Sequence, residues 1–201
     1  MSRQIFFPSQ VFLPLPPQIQ SSIMSLSLTL TQFSQPQFEE VVTLVETILD
    51  KEDEGASPEE VLSYYKTLGE KCTSESLLTL QLDFHTYSNL QMLLTGNKDC
   101  LTNYDRKNIA QLAFYGSADF NLTNCGAISL DDVHKINMHF KSLKIDSKAD
   151  FEVYYNNLPE NLKSQLSIHG NKELLSEGLR AFLNFFYKCE ENKAAVFIQC
   201  Y

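Results

Sequence analysis

The segment Phe120-Asn121-Leu122-Thr123-Asn124-Cys125-Gly126-Ala127-Ile128-Ser129-Leu130-Asp131-Asp132-Val133 carries the most informative pattern in the chain. Its second half is a helix start. Ser129 is an N-cap residue whose hydroxyl can accept from a backbone N–H of the first turn, and Asp131 and Asp132 set carboxylates against the positive end of the helix dipole. The helix that follows repeats apolar residues at Val133, Ile136, Phe140 and Leu143, the spacing of one buried face. Ahead of it, Asn124-Cys125-Gly126 reads as a turn.

Working outward, the same helical period governs most of the chain. Phe38, Val41, Val42, Val45, Ile48 and Leu49 mark a first helix, and Ser57-Pro58-Glu59-Glu60 caps a second that is expected to run through Leu68 and stop at Gly69. A third runs from Ser74 or the Asp83 region to Leu94, before Gly96, and a fourth from Asn103 to about Tyr115. Beyond the central segment, helices fit Ala149 to Asn156, Glu160 to Ile168 and Asn171 to Lys188, the last with Leu175, Leu179, Phe182, Leu183 and Phe186 on one side. Only Ala195 to Cys200 reads as a strand. These patterns predict an all-α fold.

Residues 1–37 hold no acidic residue, one arginine and five of the seven prolines, which predicts a disordered N-terminal tail. The folded part is expected to start near Phe38 and to divide into an N-terminal helical lobe, 38–100, and a C-terminal one, 101–201. Charge is concentrated there: 25 acidic against 15 basic residues, a net of −10 for 38–201 in a chain of −9. With only three arginines (Arg3, Arg106, Arg180) there is no basic patch to neutralise phosphates, which argues against a nucleic-acid partner. No uninterrupted apolar run is long enough to predict a membrane span. The five cysteines are odd in number, widely spaced and without a C-x-x-C pair, so free thiols in a reducing, cytoplasmic setting are expected.

The central segment resembles the calcium loop of the EF-hand family. Counted from Asn121, Gly126 and Ile128 stand at the two structural positions of that loop and Asp132 at its last ligand position, with Phe120, Val133, Ile136 and Phe140 at the flanking apolar sites. Three further segments are similar in outline: 50–61 as a hand shortened by one residue, 82–87 as the outgoing half of a hand, and 167–182 with Leu174 at the position matching Ile128. The resemblance implies an EF-hand-like helix-loop-helix array of the two-lobed calmodulin or light-chain type, in which Ile128 and Leu174 pair across sister loops.

Calcium is not expected to bind, because Asn121, Thr123, Cys125 and Ser129 stand where carboxylates are needed and Asp132 alone supplies charge. Asn121, Thr123 and Asp132 are the weak metal candidates, and no cofactor is implied. The function that follows is non-catalytic: an adaptor or light-chain-like subunit holding a basic amphipathic helix without calcium, in a groove lined by Val133, Ile136, Phe140, Leu179, Phe182 and Phe186. Two alternatives stand beside it. One is a weak single-site calcium sensor. The other is a small helical enzyme with Cys125 as nucleophile and His134 or His169 as base. A cluster of Asp131, His134 and His139 is a further candidate, though helical spacing puts the two histidines on different faces.

Overall fold

A computed structural model describes residues 27–96, 107–116, 125–169 and 171–200 of the chain. Its first element is strand β1 (Ser27–Phe33), whose period of two sets Leu28, Leu30 and Gln32 on one face and Thr29, Thr31 and Phe33 on the other. Helices α1 (Gln35–Asp53) and α2 (Pro58–Ser74) follow as a hairpin whose turn uses Gly55 at φ 73°. Strand β2 (Leu78–Asp83) then returns along β1, with Leu80 opposite Leu30 and Leu82 opposite Leu28. Next come α3 (Phe84–Thr95), α4 (Ile109–Tyr115), β3 (Cys125–Ile128), α5 (Leu130–Leu143), α6 (Lys148–Asn156), α7 (Glu160–His169), α8 (Lys172–Glu191) and β4 (Ala195–Cys200).

The strands form a four-stranded antiparallel sheet in the order β2-β1-β4-β3, so the first and last strands lie side by side at its centre. One face carries Leu28, Leu30, Leu82, Ile128, Val196 and Ile198 against α3, α4, α5 and α8. The other carries Phe33, Ala127, Ala195 and Phe197 against α1, with α2 packed beside α1 and contributing Leu68 to the same cluster. Helices thus make two layers with the sheet between them.

This architecture is mostly helical, but it corrects the all-α expectation. It also moves the start of the folded part, since β1 and the first turn of α1 lie within the stretch expected to be a disordered tail; residues 1–26 lie outside the described residues. Uncharged Ser, Thr and Gln can occupy a buried strand when their polar atoms are satisfied. Gln32 shows how: it is fully buried, its Nε2 donates to the carbonyl of Phe185 at 3.1 Å, and its Oε1 accepts from Asn192 Nδ2 at 3.1 Å. The expected boundary at residue 100 does not divide the sheet. Both halves of the chain share one sheet, and a single core cluster draws on both.

Helix starts follow the capping residues. Ser57, Asp83, Asn108, Ser129, Ser147 and Asn171 each accept from a backbone N–H of the turn they open. The segment 74–83, open to a helical reading, holds β2 instead, because Leu78, Leu80 and Leu82 alternate with polar residues. Gly69 does not end α2, which continues to Ser74.

Two glycines generate predictions. Gly69 is exposed, in helical backbone, with open space where a Cβ would go. Gly69→Ala is expected to raise stability by about 0.5–1 kcal/mol, read as a thermal midpoint higher by about 1–4 °C. At Gly126 a Cβ would lie 2.2 Å from the carbonyl oxygen of Tyr115, so Gly126→Ala is expected to cost about 3 kcal/mol in a denaturant melt.

Candidate functional site

Asn121 and Thr123 of the loop-like segment lie outside the described residues. Gly126, expected at the sharp turn of a calcium loop, is extended within β3 opposite Ile198. Ile128 pairs with Val196, while Leu174 is 61% exposed on the first turn of α8. The expected bridge between Ile128 and Leu174 is therefore not formed; β4 takes that place beside β3. Asp132 is engaged in closing the N-terminus of α5. Its Oδ2 accepts from Ser129 Oγ at 2.9 Å, its Oδ1 from Lys135 Nζ at 2.7 Å, and its own N–H donates to Ser129 Oγ at 3.2 Å. Among the described residues no group of three His, Cys, Asp or Glu side chains is placed to hold a metal ion.

The six residues expected to line a partner groove do face one another across α5 and α8, but inside the core. Val133, Ile136, Leu179, Phe182 and Phe186 are fully buried and Phe140 nearly so. Phe182 stacks on Phe114 at 4.7 Å between ring centroids and meets Phe186 at 5.2 Å and Phe140 at 5.9 Å. All six belong to one buried core cluster.

The candidate bases are dispersed. His134 Nδ1 lies 2.7 Å from Glu190 Oε1, and Lys141 Nζ donates to Glu190 Oε2 at 3.0 Å, a surface clasp of α5 to the end of α8. Hydrogen bonds from His134 and Lys141 hold the Glu190 carboxyl below its ordinary range. His139 packs beside Phe140, and burial lowers its pKa. Cys125 stands opposite Gln199 in the sheet; its side chain and that of His169 lie outside the described residues.

A different surface collects the charge. Residues 35–75, the α1–α2 hairpin with its cap, hold eleven acidic residues against three lysines, a net of −8 in a chain whose total is −9. Each of those lysines is already paired within the hairpin. Lys51 meets Glu54 at 3.3 Å, Lys66 meets Glu70 at 3.9 Å, and Lys71 meets Glu40 at 2.7 Å and Glu75 at 3.2 Å. The hydrogen bonds from Lys71 to Glu40 and Glu75, and from Lys51 to Glu54, raise both ammonium pKa values. Glu46, Asp50, Asp53 and Glu59 are exposed and form no ion pair among the described residues.

Between the two helices lies a groove of about 580 Å³ lined by Pro36, Glu39, Glu40, Leu44, Tyr64 and Lys71, the last of these paired with Glu40. Thr43, Thr47 and Thr67 also line it. Their hydroxyls donate to the carbonyls of Glu39, Thr43 and Ser63 four residues back in their own helices. With hydroxyls so engaged, the threonines contribute mainly methyl surface. Just outside the groove, Leu62 is 67% and Tyr65 38% exposed on α2. Composition alone showed that the folded part was acidic; its concentration on one hairpin was readable by counting charge in the window 39–75.

No protein-family model matches the chain, and no curated protein matches it in sequence. A solved structure is similar: YfbM from Escherichia coli, described as a protein of unknown function, with a TM-score of 0.52 at 7% identity, over 87% of this chain and 99% of that one. The likeness is one of fold alone. No helix among the described residues is long and apolar enough to cross a membrane.

Two outcomes follow from this geometry. Calcium titration calorimetry of the full chain is expected to give no saturable isotherm at micromolar concentration, because Asp132 is engaged in capping. Phe182→Ala is expected to cost about 3–5 kcal/mol in a denaturant melt, the range for deleting a buried aromatic ring.

Proposed function

We propose that this protein is a non-catalytic protein-binding module, an adaptor-like subunit that holds a basic amphipathic helix along the α1–α2 hairpin and does so without calcium. The observation that carries this reading is the concentration of net charge: −8 of the chain's −9 lies on one hairpin, around a groove with Leu44 and Tyr64 along it. A helix with one apolar face and a cationic flank matches both features at once. Its apolar side chains bury against Leu44, Tyr64 and the threonine methyls, and its lysines or arginines approach Glu39, Glu46 and Asp50. Because the hairpin's own lysines are internally paired, they do not repel the incoming cations individually. Electrostatic complementarity of this kind chiefly sets encounter rate and selectivity, while the apolar contact supplies most of the affinity.

The test uses a fluorescent synthetic Leu/Lys amphipathic helix of about five turns. Anisotropy is expected to show micromolar binding, about 1–100 µM, weakening as salt rises past the roughly 8 Å screening length of 0.15 M. The triple variant Glu39→Gln/Glu46→Gln/Asp50→Asn is expected to weaken it about tenfold, or 1.4 kcal/mol, and Thr43→Lys to weaken it by at least as much. Equal binding of a Leu/Glu helix, or indifference to both variants, would overturn the reading.

A further inference from the structure

The two edges of the sheet are finished differently. At the β3 edge the backbone of Tyr115 and Gly116, at the end of α4, presses against Gly126 and Ala127 so closely that a Cβ on either glycine would lie within 2.5 Å of a carbonyl oxygen. At the other edge, β2 is hydrogen-bonded among the described residues to β1 alone. There Thr79, Gln81 and Asp83 are exposed, and the edge is flanked by Leu77, 51% exposed, and Phe84, 37% exposed.

Natural edge strands are usually guarded by a lysine, a proline, a bulge or a covering element, because a row of free N–H and C=O groups is a template for another strand. Leu78-Thr79-Leu80-Gln81-Leu82 contains no charge, no proline and no glycine, and its register with β1 is unbroken from Ser27↔Asp83 to Gln32↔Leu78. We propose that β2 pairs antiparallel with β2 of a second copy of this chain about a two-fold axis, joining the two sheets into one.

The sequence of the strand selects that occupant. Residues 76–82 carry no ionisable side chain, so two copies of an acidic protein can meet there without opposing like charges, while a basic segment finds no counter-charge along Leu78–Leu82. Antiparallel pairing centred on Leu80 is self-complementary. It sets Leu78 opposite Leu82 on the helix-covered face and Thr79 opposite Gln81 on the other, where hydroxyl and amide can exchange hydrogen bonds. In the same register Leu77 of one copy falls opposite Asp83 of the next, where the paired segment ends without setting two carboxylates against each other. Since each copy carries −9, added salt strengthens the pairing, the reverse of its effect on a basic helix bound to the hairpin.

Sedimentation velocity of the full chain over a concentration series tests this, with hydrogen exchange on residues 78–83. The expected result is a monomer–dimer equilibrium that tightens with salt and a concentration-dependent gain in amide protection on β2. Thr79→Lys with Gln81→Lys, both at exposed positions, opposes like charges across the seam and is expected to weaken the dimer at least tenfold. Thr79→Lys with Gln81→Glu opposes unlike charges and is expected to retain it. A protein that stays monomeric throughout, a dimer indifferent to the double-lysine variant, or β2 amides already protected in the dilute monomer would each overturn the proposal. Helix binding at the hairpin is measured separately, so either result can stand without the other.

Discussion

Strand β1 is paired on both sides, with β2 following it and with β4 from the far end of the chain, Phe33 lying opposite Ala195. Until that insertion is made there is no sheet centre for either helical layer to cover. The buried amide of Gln32 secures it, since its hydrogen bonds reach the Phe185 carbonyl and Asn192, both next to the segment that delivers β4. A second buried amide acts on the same helix: Asn137 Nδ2 donates to the Phe186 carbonyl at 2.8 Å. Losing either donor's partner would leave a buried polar group unsatisfied, at about 1–3 kcal/mol. Contacts so distant in sequence make folding slow compared with a helical bundle of equal stability.

The two helical layers are unlike, and the difference explains where charge can gather. Helix α3 is buried along most of its length and around its circumference, from Tyr87 to Leu94, and α4 likewise from Ala110 to Phe114. The α1–α2 hairpin on the opposite face is far less deeply buried: α1 buries Phe38, Val41, Val45 and Ile48, and α2 buries only Leu68. Val42, Leu44, Val61, Tyr64 and Cys72 are half-buried against that core, but every acidic residue of the hairpin except Glu75 is exposed, so carboxylates accumulate there with little cost of burial. Under the proposed function, the partner surface is the layer that contributes least to the core.

Much of the helical part was legible because capping side chains and apolar period agree, as at Ser57, Ser129 and Asn171, and β4 was legible as a short β-branched and aromatic run. Three strands were not. Ser-Leu-Thr-Leu-Thr-Gln-Phe alternates cleanly, but it sits in a proline- and glutamine-rich stretch whose composition outweighed its period. Leu-Thr-Leu-Gln-Leu-Asp was absorbed into a helical reading, and Cys-Gly-Ala-Ile is too short to show any period. The glycine of that last strand was assigned to a loop turn, whereas its reason is the neighbouring Tyr115 carbonyl, which no local pattern can reveal. The six aromatic and aliphatic residues of α5 and α8 carry the helical spacing of one face, but spacing cannot show whether such a face is sealed.

With −8 on one hairpin and −1 on all the rest, the molecule is an electric dipole as well as an anion. In the field of a cationic body it experiences a torque, and turns its hairpin forward before contact. Diffusive approach is thereby converted from a search over all orientations into a search over few, with the gain fading as counterions shorten the range of the field. The same torque would seat the protein hairpin-down on any positively charged support.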